Sequence, residues 1–249
     1  TAVLCYTTFQ SVLVLSNIGS VGMQYQNVKK GYFVKRLNRF SALVSILGAQ
    51  ELVHVKNTGR LGELLLPGAA VYLQHSLDNP KRKTQWDLIA VESNGQIVNI
   101  DSQAPNRVFR EFLESGAFRD DIQKIQAESV YEDSRFDFRL ELQSSVQFIE
   151  VKGVTLLKDN IAYFPDAPTL RGVKHIRGLM RAVEMGYKAA IVFIVQMKEV
   201  NAVRPNDKTQ AVFGQALRDA ARMGVQVFAY DCMVTKESLA VDLPLPVQM

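Results

Sequence analysis

The most informative part of the chain reads Ser134-Arg-Phe-Asp-Phe-Arg-Leu-Glu-Leu142 and then, after Gln-Ser-Ser, Val146-Gln-Phe-Ile-Glu-Val-Lys-Gly-Val154. Apolar and polar residues alternate in both segments, which is typical of half-buried strands because successive side chains of a strand point to opposite faces. The first strand is expected to place one apolar set on a single face: Phe136, Phe138, Leu140 and Leu142. The short polar break between the segments predicts a β-hairpin.

This hairpin would bring two carboxylates and an amine together. Glu150 and Lys152 are two residues apart, so their side chains share a face. A loop of even length, residues 143–144 or 142–145, would place Asp137 directly opposite Glu150. Paired carboxylates bind a hard cation such as Mg²⁺, which keeps several waters and takes further ligands from substrate phosphates. Such a metal lowers the pKa of a bound water, and the lysine can orient that water or stabilise charge.

A charged strand face is the alternative explanation of the same pattern. A cross-strand salt bridge on a solvated surface contributes less than about 1 kcal/mol and requires no function. Because charges are common on strands and the spacing is loose, the D…ExK pattern taken alone favours this alternative. The surrounding sequence reverses that preference.

The composition excludes several other classes of protein. At 249 residues the chain can hold one large domain or two small ones, each with a real core. Hydrophobic residues at 47% and charged residues at 22% are ordinary for a globular protein, and the net charge of +4 is compatible with a polyanionic partner. Two cysteines, Cys5 and Cys232, are too few for a disulfide scaffold or a thiolate zinc site, so a cytoplasmic location is expected.

Residues 1–22 contain no charged side chain. They lack the basic region and the small-residue cleavage site of a secretory signal, and polar residues interrupt them as a membrane span. Met23 begins a segment that resembles a natural start. We expect residues 1–22 to be an upstream extension without a role in function, with a weak membrane anchor as the alternative. No membrane partner is expected.

Residues 23–93 are predicted to form an OB-fold-like β-barrel that binds nucleic acid. Short strands alternate there with turn residues, and five strands in this length fit a small barrel; the candidates are 33–39, 41–47, 51–56, 70–75 and 86–92. Basic residues on the barrel could follow a nucleic-acid backbone, with Phe40, Tyr72 or Trp86 as stacking partners. The basic set is Arg36, Arg39, Lys56, Arg60, Lys81, Arg82 and Lys83. The alternative, favoured for each aromatic ring singly, is that the rings are core and the charges a solvated rim.

Residues 94–249 are predicted to form an α/β domain with a mixed sheet flanked by helices, which makes the whole chain α+β. The helical spacing of apolar residues predicts helices over 105–113, 171–185 and 208–223. Strands are predicted over 97–100, 125–131, 134–142, 146–154, 189–197 and 225–231. The change of character near residue 93 is the expected domain boundary.

This order of elements, with the D…ExK hairpin at its centre, resembles the restriction-endonuclease-like PD-(D/E)xK superfamily. Shorter motifs are similar to those of one family, sugar fermentation stimulation protein A (SfsA), and extend over roughly residues 32–247. They are Arg36-Leu-Asn-Arg-Phe40, Lys56-Asn-Thr-Gly-Arg60, Leu66-Pro-Gly68, Lys83-Thr-Gln-Trp86, Pro105-Asn106, Ser134-Arg-Phe-Asp137, Ile149-Glu-Val-Lys-Gly-Val-Thr155, Tyr163-Phe-Pro-Asp-Ala167 and Arg171-Gly-Val-Lys-His175. The resemblance implies an OB-type domain, a nuclease-like domain, DNA binding and a regulatory association with sugar (maltose) utilisation genes.

The resemblance also implies the site residues. Asp137, Glu150 and Lys152 fall on the active-site pattern of the superfamily, with the two carboxylates as ligands of Mg²⁺ or Mn²⁺. Glu128, on the preceding strand, is a further candidate carboxylate, and an exposed strand glutamate is an equally weighted alternative. Asp166 could cap the following helix or reach the metal.

The start of the helix after Asp166 is a candidate phosphate site, since helix N-termini favour anions. Arg171, Lys174 and His175 lie there, and the alternative for His175 is a histidine that packs the helix against the sheet. Relatives often carry an acidic residue three positions after this histidine, where this chain has Gly178. That departure weakens any role for an acidic partner at this point.

Two functions are therefore expected to compete. In the first, the protein is a Mg²⁺-dependent nuclease acting on single- or double-stranded DNA. In the second, it is a DNA-binding regulator that keeps the nuclease fold without cleavage. The complete D…ExK trio favours the first. An enzyme acting on a small phosphorylated molecule is a weaker third option, and a homodimer is left open by the sequence.

Overall fold

The computed structural model describes residues 22–76 and 83–249. The strands in these ranges are β1 (Met23–Gln24), β2 (Val28–Arg36), β3 (Ser41–Ile46), β4 (Ala49–Val55), β5 (Ala70–His75), β6 (Trp86–Ser93), β7 (Gln96–Asn99), β8 (Ile122–Tyr131), β9 (Ser134–Leu142), β10 (Val146–Val154), β11 (Leu156–Lys158), β12 (Ile161–Phe164), β13 (Lys188–Val195), β14 (Ala202–Pro205), β15 (Gln226–Val234) and β16 (Ser238–Pro244). The helices are α1 (Ala104–Glu114), α2 (Leu170–Glu184) and α3 (Asp207–Arg222).

The first part of the chain forms a closed five-stranded barrel. Its sheet has the order β4-β3-β2-β5-β6-β7, and β4 also pairs with β6. That closing ladder is parallel and joins His54 to Asp87 and Val55 to Leu88. The predicted OB-fold-like barrel is confirmed, and each of its five predicted strands is present. Tyr72 and Trp86 are buried, whereas Phe40 is 55% exposed.

The division between the two domains differs from the predicted one. β7 pairs with β6 in an antiparallel hairpin that joins Ala90 to Asn99. The predicted boundary after residue 93 therefore cuts through a hairpin of the barrel sheet, and the strand pairing places the division after Asn99. At the other end, β1 pairs with β16, so Met23 and Gln24 belong to the sheet of the second domain. Both corrections concern pairing partners, which hydrophobic periodicity does not specify.

The second domain is built on a seven-stranded mixed sheet of order β1-β16-β15-β13-β10-β9-β8. β10, β13 and β15 run parallel, and the other neighbours are antiparallel. Successive residues of β13 point to opposite faces: Val192 packs in one core with Phe109 of α1, and Phe193 packs in the other with Ile176 of α2 and Phe213 of α3. The predicted mixed sheet flanked by helices is confirmed. A small sheet, β11-β12-β14, adjoins it.

The barrel and the large sheet are packed against each other through both apolar and polar contacts. The core that contains Phe193 also contains Val53 and Leu88 of the barrel. Next to it, the side-chain amide of Gln196 donates to Asn99 Oδ1 at 2.7 Å, and the main-chain N–H of Asn99 donates to the Gln196 carbonyl at 3.0 Å. This junction brings the barrel loops close to the carboxylate hairpin.

Several predictions fall on residues outside the described ranges. They are the proposed extension up to residue 21 and the basic residues Lys81 and Arg82. In the described ranges, no helix is both long enough and apolar enough to cross a membrane.

Candidate active site

The hairpin of β9 and β10 sets the geometry of the site. Its register pairs Val146 with Glu141 and Ile149 with Phe138, and the same register continued by one step pairs Glu150 with Asp137. The loop therefore has the even length that this arrangement requires. Both strand ranges match the predicted ones.

The alternation predicted that the four apolar side chains of β9 share one face, but they divide between two cores. All four are buried, but Phe138 contacts Phe109 of α1, whereas Phe136 lies beside Phe148 and His175 on the α2 side. The change of core occurs at Asp137, between the two rings.

Two donors hold the carboxylate of Asp137. Its Oδ2 accepts from the main-chain N–H of Val151 at 2.8 Å, and its Oδ1 accepts from the side-chain amide of Asn106 at 2.7 Å. Burial raises the pKa of Asp137 above its ordinary value, and the nearby charge of Glu150 raises it further. The two hydrogen bonds and Lys152 oppose this shift without reversing it.

Glu150 is almost fully buried, with 2% of its surface exposed. Two donors contact the same oxygen, Oε1: Nζ of Lys152 and Nδ1 of His175. Within the described residues, Oε2 is buried without a hydrogen-bond partner. Burial alone would raise the pKa of Glu150, but the hydrogen bond from His175 and the charge of Lys152 outweigh it and lower the pKa below its ordinary value. Adjacent carboxylates thus have opposite pKa shifts, a feature common at functional sites.

These groups lie in the wall of a cleft of about 280 Å³. The polar and charged side chains that line it are Ser102, Asn106, Glu128, Arg135, Asp137, Glu150, Lys152, Arg171 and His175. The structure therefore brings together the predicted trio, Glu128, Arg171 and His175. Glu128 lies at the rim, where its side chain is 72% exposed and pairs with Arg135 at 3.7 Å.

Lys174 is not brought into the cleft. Its side chain is half exposed and forms an ion pair with Asp133 at 3.2 Å. The N-terminus of α2 is capped by Thr169, whose hydroxyl accepts from the main-chain N–H of Gly172 at 2.9 Å. Asp166 was expected either to cap this helix or to reach the metal. Thr169 is the cap, and the carboxylate of Asp166 lies against Gly59 of the barrel.

Gly178 allows α2 to approach β9 closely. A Cβ atom at this position would lie 2.7 Å from Ser134 Oγ and 3.1 Å from Cζ of Phe136. A larger side chain at this position would require Ser134, Phe136 or α2 itself to move. The glycine is therefore matched to its neighbours on β9.

Arg36 was predicted to contact nucleic acid, but its guanidinium is directed into the protein. All five of its N–H groups donate to main-chain carbonyls at 2.6–3.1 Å, and the acceptors are Asn38, Arg39, Asn57, Gly59 and Arg60. These hydrogen bonds fix the loops 37–40 and 56–60 side by side. Burial of the guanidinium lowers the pKa of Arg36, although the residue stays charged.

The other basic residues of the barrel fall into two groups. Arg39, Arg60 and Lys83 are exposed. Lys56 forms ion pairs with Asp101 at 3.3 Å and Asp87 at 3.4 Å, which makes it part of the domain junction.

Three polar residues of the cleft were not predicted as site residues: Ser102, Asn106 and Arg135. Asn106 holds Asp137 from the first turn of α1, and Arg135 carries a positive charge into the cleft from β9. Both lie in the quoted family motifs, which was the available signal. Their side-chain chemistry alone did not set them apart from other surface residues.

The donor set suits a metal that takes few protein ligands. Among the described residues, no three His, Cys, Asp or Glu side chains are grouped so as to hold a metal by themselves. The site has two carboxylates instead, and one buried oxygen, Oε2 of Glu150, has no hydrogen-bond partner among the described residues. Mg²⁺ binds in this way, through one or two carboxylates, several waters and substrate phosphate oxygens.

Two family models match the chain. The model of the sugar fermentation stimulation protein RE domain matches residues 103–238, and that of the SfsA N-terminal OB domain matches residues 34–100. The sugar fermentation stimulation protein homolog of Desulfitobacterium hafniense is 51% identical over 217 residues, which cover 87% of this chain and 94% of the relative. The homolog of Ruminiclostridium cellulolyticum is 49% identical over 227 residues, covering 91% of this chain and all of the relative.

A solved structure has the same architecture. The structure of Pyrococcus furiosus SfsA in complex with Ca²⁺ is similar with a TM-score of 0.84 and 28% sequence identity, over 91% of this chain and 98% of that one.

Proposed function

Since the chain belongs to the sugar fermentation stimulation protein family, we propose that it is a divalent-metal-dependent nuclease that hydrolyses phosphodiester bonds in DNA. The observation that carries this proposal is the buried Oε2 of Glu150, which has no hydrogen-bond partner among the described residues. Glu150 and Asp137 line a cleft that is also lined by Arg135, Lys152 and Arg171. A buried carboxylate oxygen without a donor is costly unless a cation or a water completes it.

Asp137 and Glu150 would hold Mg²⁺ or Mn²⁺ between them. The Ca²⁺ complex of the Pyrococcus furiosus relative supports this assignment, because Ca²⁺ and Mg²⁺ are both hard cations with oxygen ligands. A metal held there supplies a water of lowered pKa and positive charge beside the scissile phosphate.

The remaining cleft residues have roles that follow from their contacts. Asn106 keeps the carboxylate of Asp137 in place through its 2.7 Å hydrogen bond. Lys152, beside Glu150, supplies positive charge for the transition state and orients the attacking water. Arg135 and Arg171 extend into the cleft as donors for the flanking phosphates, a task that suits the planar guanidinium. Glu128 at the rim is a further carboxylate that can assist the water.

The barrel would hold the nucleic acid next to the cleft. Arg39 and Arg60 lie on the two loops that Arg36 fixes side by side. Ser102, which lines the cleft, also contacts the main chain of Lys56 at the start of one of these loops. Exposed arginines on loops that adjoin the cleft lining can neutralise phosphates of a strand that enters the cleft. Lys83 would extend this basic path, and Lys174 would contribute from α2. Lys81 and Arg82, outside the described residues, are further candidates because of their charge.

The test is incubation of single- and double-stranded DNA and RNA with the purified protein in Mg²⁺ or Mn²⁺, in parallel with Lys152→Ala. We expect cleavage of DNA that requires the metal and is lost in Lys152→Ala. Cleavage that persists unchanged in the variant would indicate a contaminating nuclease. DNA binding without cleavage would favour the alternative, a DNA-binding regulator of sugar (maltose) genes, and absence of binding would contradict both.

A further inference from the structure

Glu150 is held in an asymmetric way. Both of its protein donors, Lys152 Nζ and His175 Nδ1, contact Oε1, and Oε2 has no partner among the described residues. The two donors differ in mobility. Lys152 has a long side chain that can turn toward a phosphate. His175 is 7% exposed, and its ring packs edge-on near Phe136 with 6.5 Å between the ring centroids.

The hydrogen bond that His175 makes at its other nitrogen sets the position of its proton. Nε of Arg171 lies 3.4 Å from Nε2 of His175, one turn earlier on α2. A guanidinium has only donors, so Nε2 accepts in this contact and the ring N–H that faces Glu150 is on Nδ1. That proton is directed at Oε1 of Glu150. Arg171 therefore fixes the tautomer that makes His175 a donor to the carboxylate.

We infer that His175 is a positioning residue for the metal: by donating to Oε1 of Glu150, it turns Oε2 toward the cleft as the ligand atom. The inference rests on the proposed metal site at Asp137 and Glu150. Hydrogen bonds to ligating carboxylates orient them, and loss of such a partner typically weakens metal binding about 10–100-fold. In this view His175 is neither a metal ligand nor only a packing residue.

The test is calorimetric titration of metal-free protein with Mn²⁺ in the absence of DNA, so that the result does not depend on catalysis. His175→Leu removes the donor, and His175→Asn keeps an N–H at nearly the position of Nδ1. His175→Met is a second apolar replacement, and it is titrated in place of the leucine variant if that variant does not fold. Arg177→Ala, an exposed change on the same helix, is the matched control. Thermal melting of each metal-free variant checks its fold.

We expect the apolar variants to bind Mn²⁺ about 10–100-fold more weakly than the wild type. The asparagine variant should stay within about threefold, and Arg177→Ala should be unchanged. Wild-type affinity in a folded apolar variant would overturn the inference, as would an asparagine variant as weak as the apolar ones. A wild-type protein that binds no Mn²⁺, or binds it equally well with Glu150→Gln, would overturn the metal site itself and this inference with it.

Discussion

The main-chain N–H of Val151 donates to Oδ2 of Asp137 at 2.8 Å, across the β9–β10 hairpin. The regular pairing of β9 with β10 ends at Ile149 and Phe138, one residue pair before Glu150 and Asp137. Beyond that pair, the carboxylate of Asp137, and not a main-chain carbonyl, accepts from the N–H of Val151. The bond ties Asp137 to the residue that follows Glu150. It explains how a simple hairpin can hold two carboxylates together at one point.

Asp137→Asn is expected to stabilise the metal-free protein near pH 7. The folded state raises the pKa of Asp137, so the contribution of this group to stability is greatest at low pH and is lost as the pH rises through the folded pKa. A neutral asparagine avoids that loss, and it keeps both hydrogen bonds when the side-chain amide of Asn106 turns to present its oxygen. We expect a melting temperature higher by roughly 2–4 °C. Melting curves at a series of pH values check this result.

The pH dependence supplies the control for Asp137→Asn. The difference in melting temperature between the variant and the wild type should shrink as the pH falls toward about 3.9, the ordinary aspartate pKa, because the wild-type carboxyl is then neutral as well. A variant that is less stable than the wild type at pH 7, or a gain that grows on acidification, would contradict the assigned shift.

Gly178→Ala is expected to destabilise the protein, although alanine usually favours a helix over glycine by about 1 kcal/mol. The added methyl would lie 2.7 Å from Ser134 Oγ, and relieving that overlap should cost about 1–3 kcal/mol. Urea unfolding measures the difference. Ser134→Ala in the same chain should recover part of the loss. Gly62→Ala is the control because a Cβ there meets no atom within 4 Å, and a stabilised Gly178→Ala would disprove the close packing.

Arg36→Lys should reduce the free energy of unfolding by about 1–3 kcal/mol, since an ammonium cannot serve five carbonyl acceptors in the plane of a guanidinium. Arg39→Lys, an exposed change in the same loop, should alter it by less than about 0.5 kcal/mol. Urea unfolding of both variants checks the comparison. Equal stabilities of the two would mean that the loops do not depend on Arg36.

The double variant Arg39→Ala, Arg60→Ala should weaken DNA binding and make it less sensitive to salt. Each lost phosphate contact lowers the slope of log affinity against log salt by about 0.9 for duplex DNA. Fluorescence anisotropy at several salt concentrations, in EDTA, gives this slope. Lys158→Ala, an exposed basic residue of β11, is the control and should leave the slope unchanged. An unaltered slope in the double variant would exclude these loops as a DNA interface.

The hairpin was predictable because its signal is local. Alternation over nine residues gives the ends of β9 and β10, although it did not reveal that the apolar side chains of β9 divide between two cores. β16 was missed because it is recognisable as a strand only through its pairing with β15 and β1. β7 was predicted as a strand but assigned to the wrong domain, since its partner β6 follows from the tertiary fold.

The site was predictable to a similar degree. Strand parity placed Asp137, Glu150 and Lys152 on one surface, and the family motifs pointed to Arg171 and His175. The charge of Arg36 was visible in the sequence, but the direction of its five donors was not. Nor could spacing reveal that Asn106, 31 residues before Asp137, donates to it.

Whether Asp137 belongs to a catalytic metal site is decided by the initial rate of Mn²⁺-dependent DNA cleavage by the wild type and by Asp137→Asn. We expect a wild-type rate that EDTA abolishes and a loss of at least about 100-fold in the variant. Because the variant is expected to be the more stable protein, such a loss cannot be attributed to unfolding. Cleavage by Asp137→Asn at the wild-type rate would show that the catalytic site lies elsewhere.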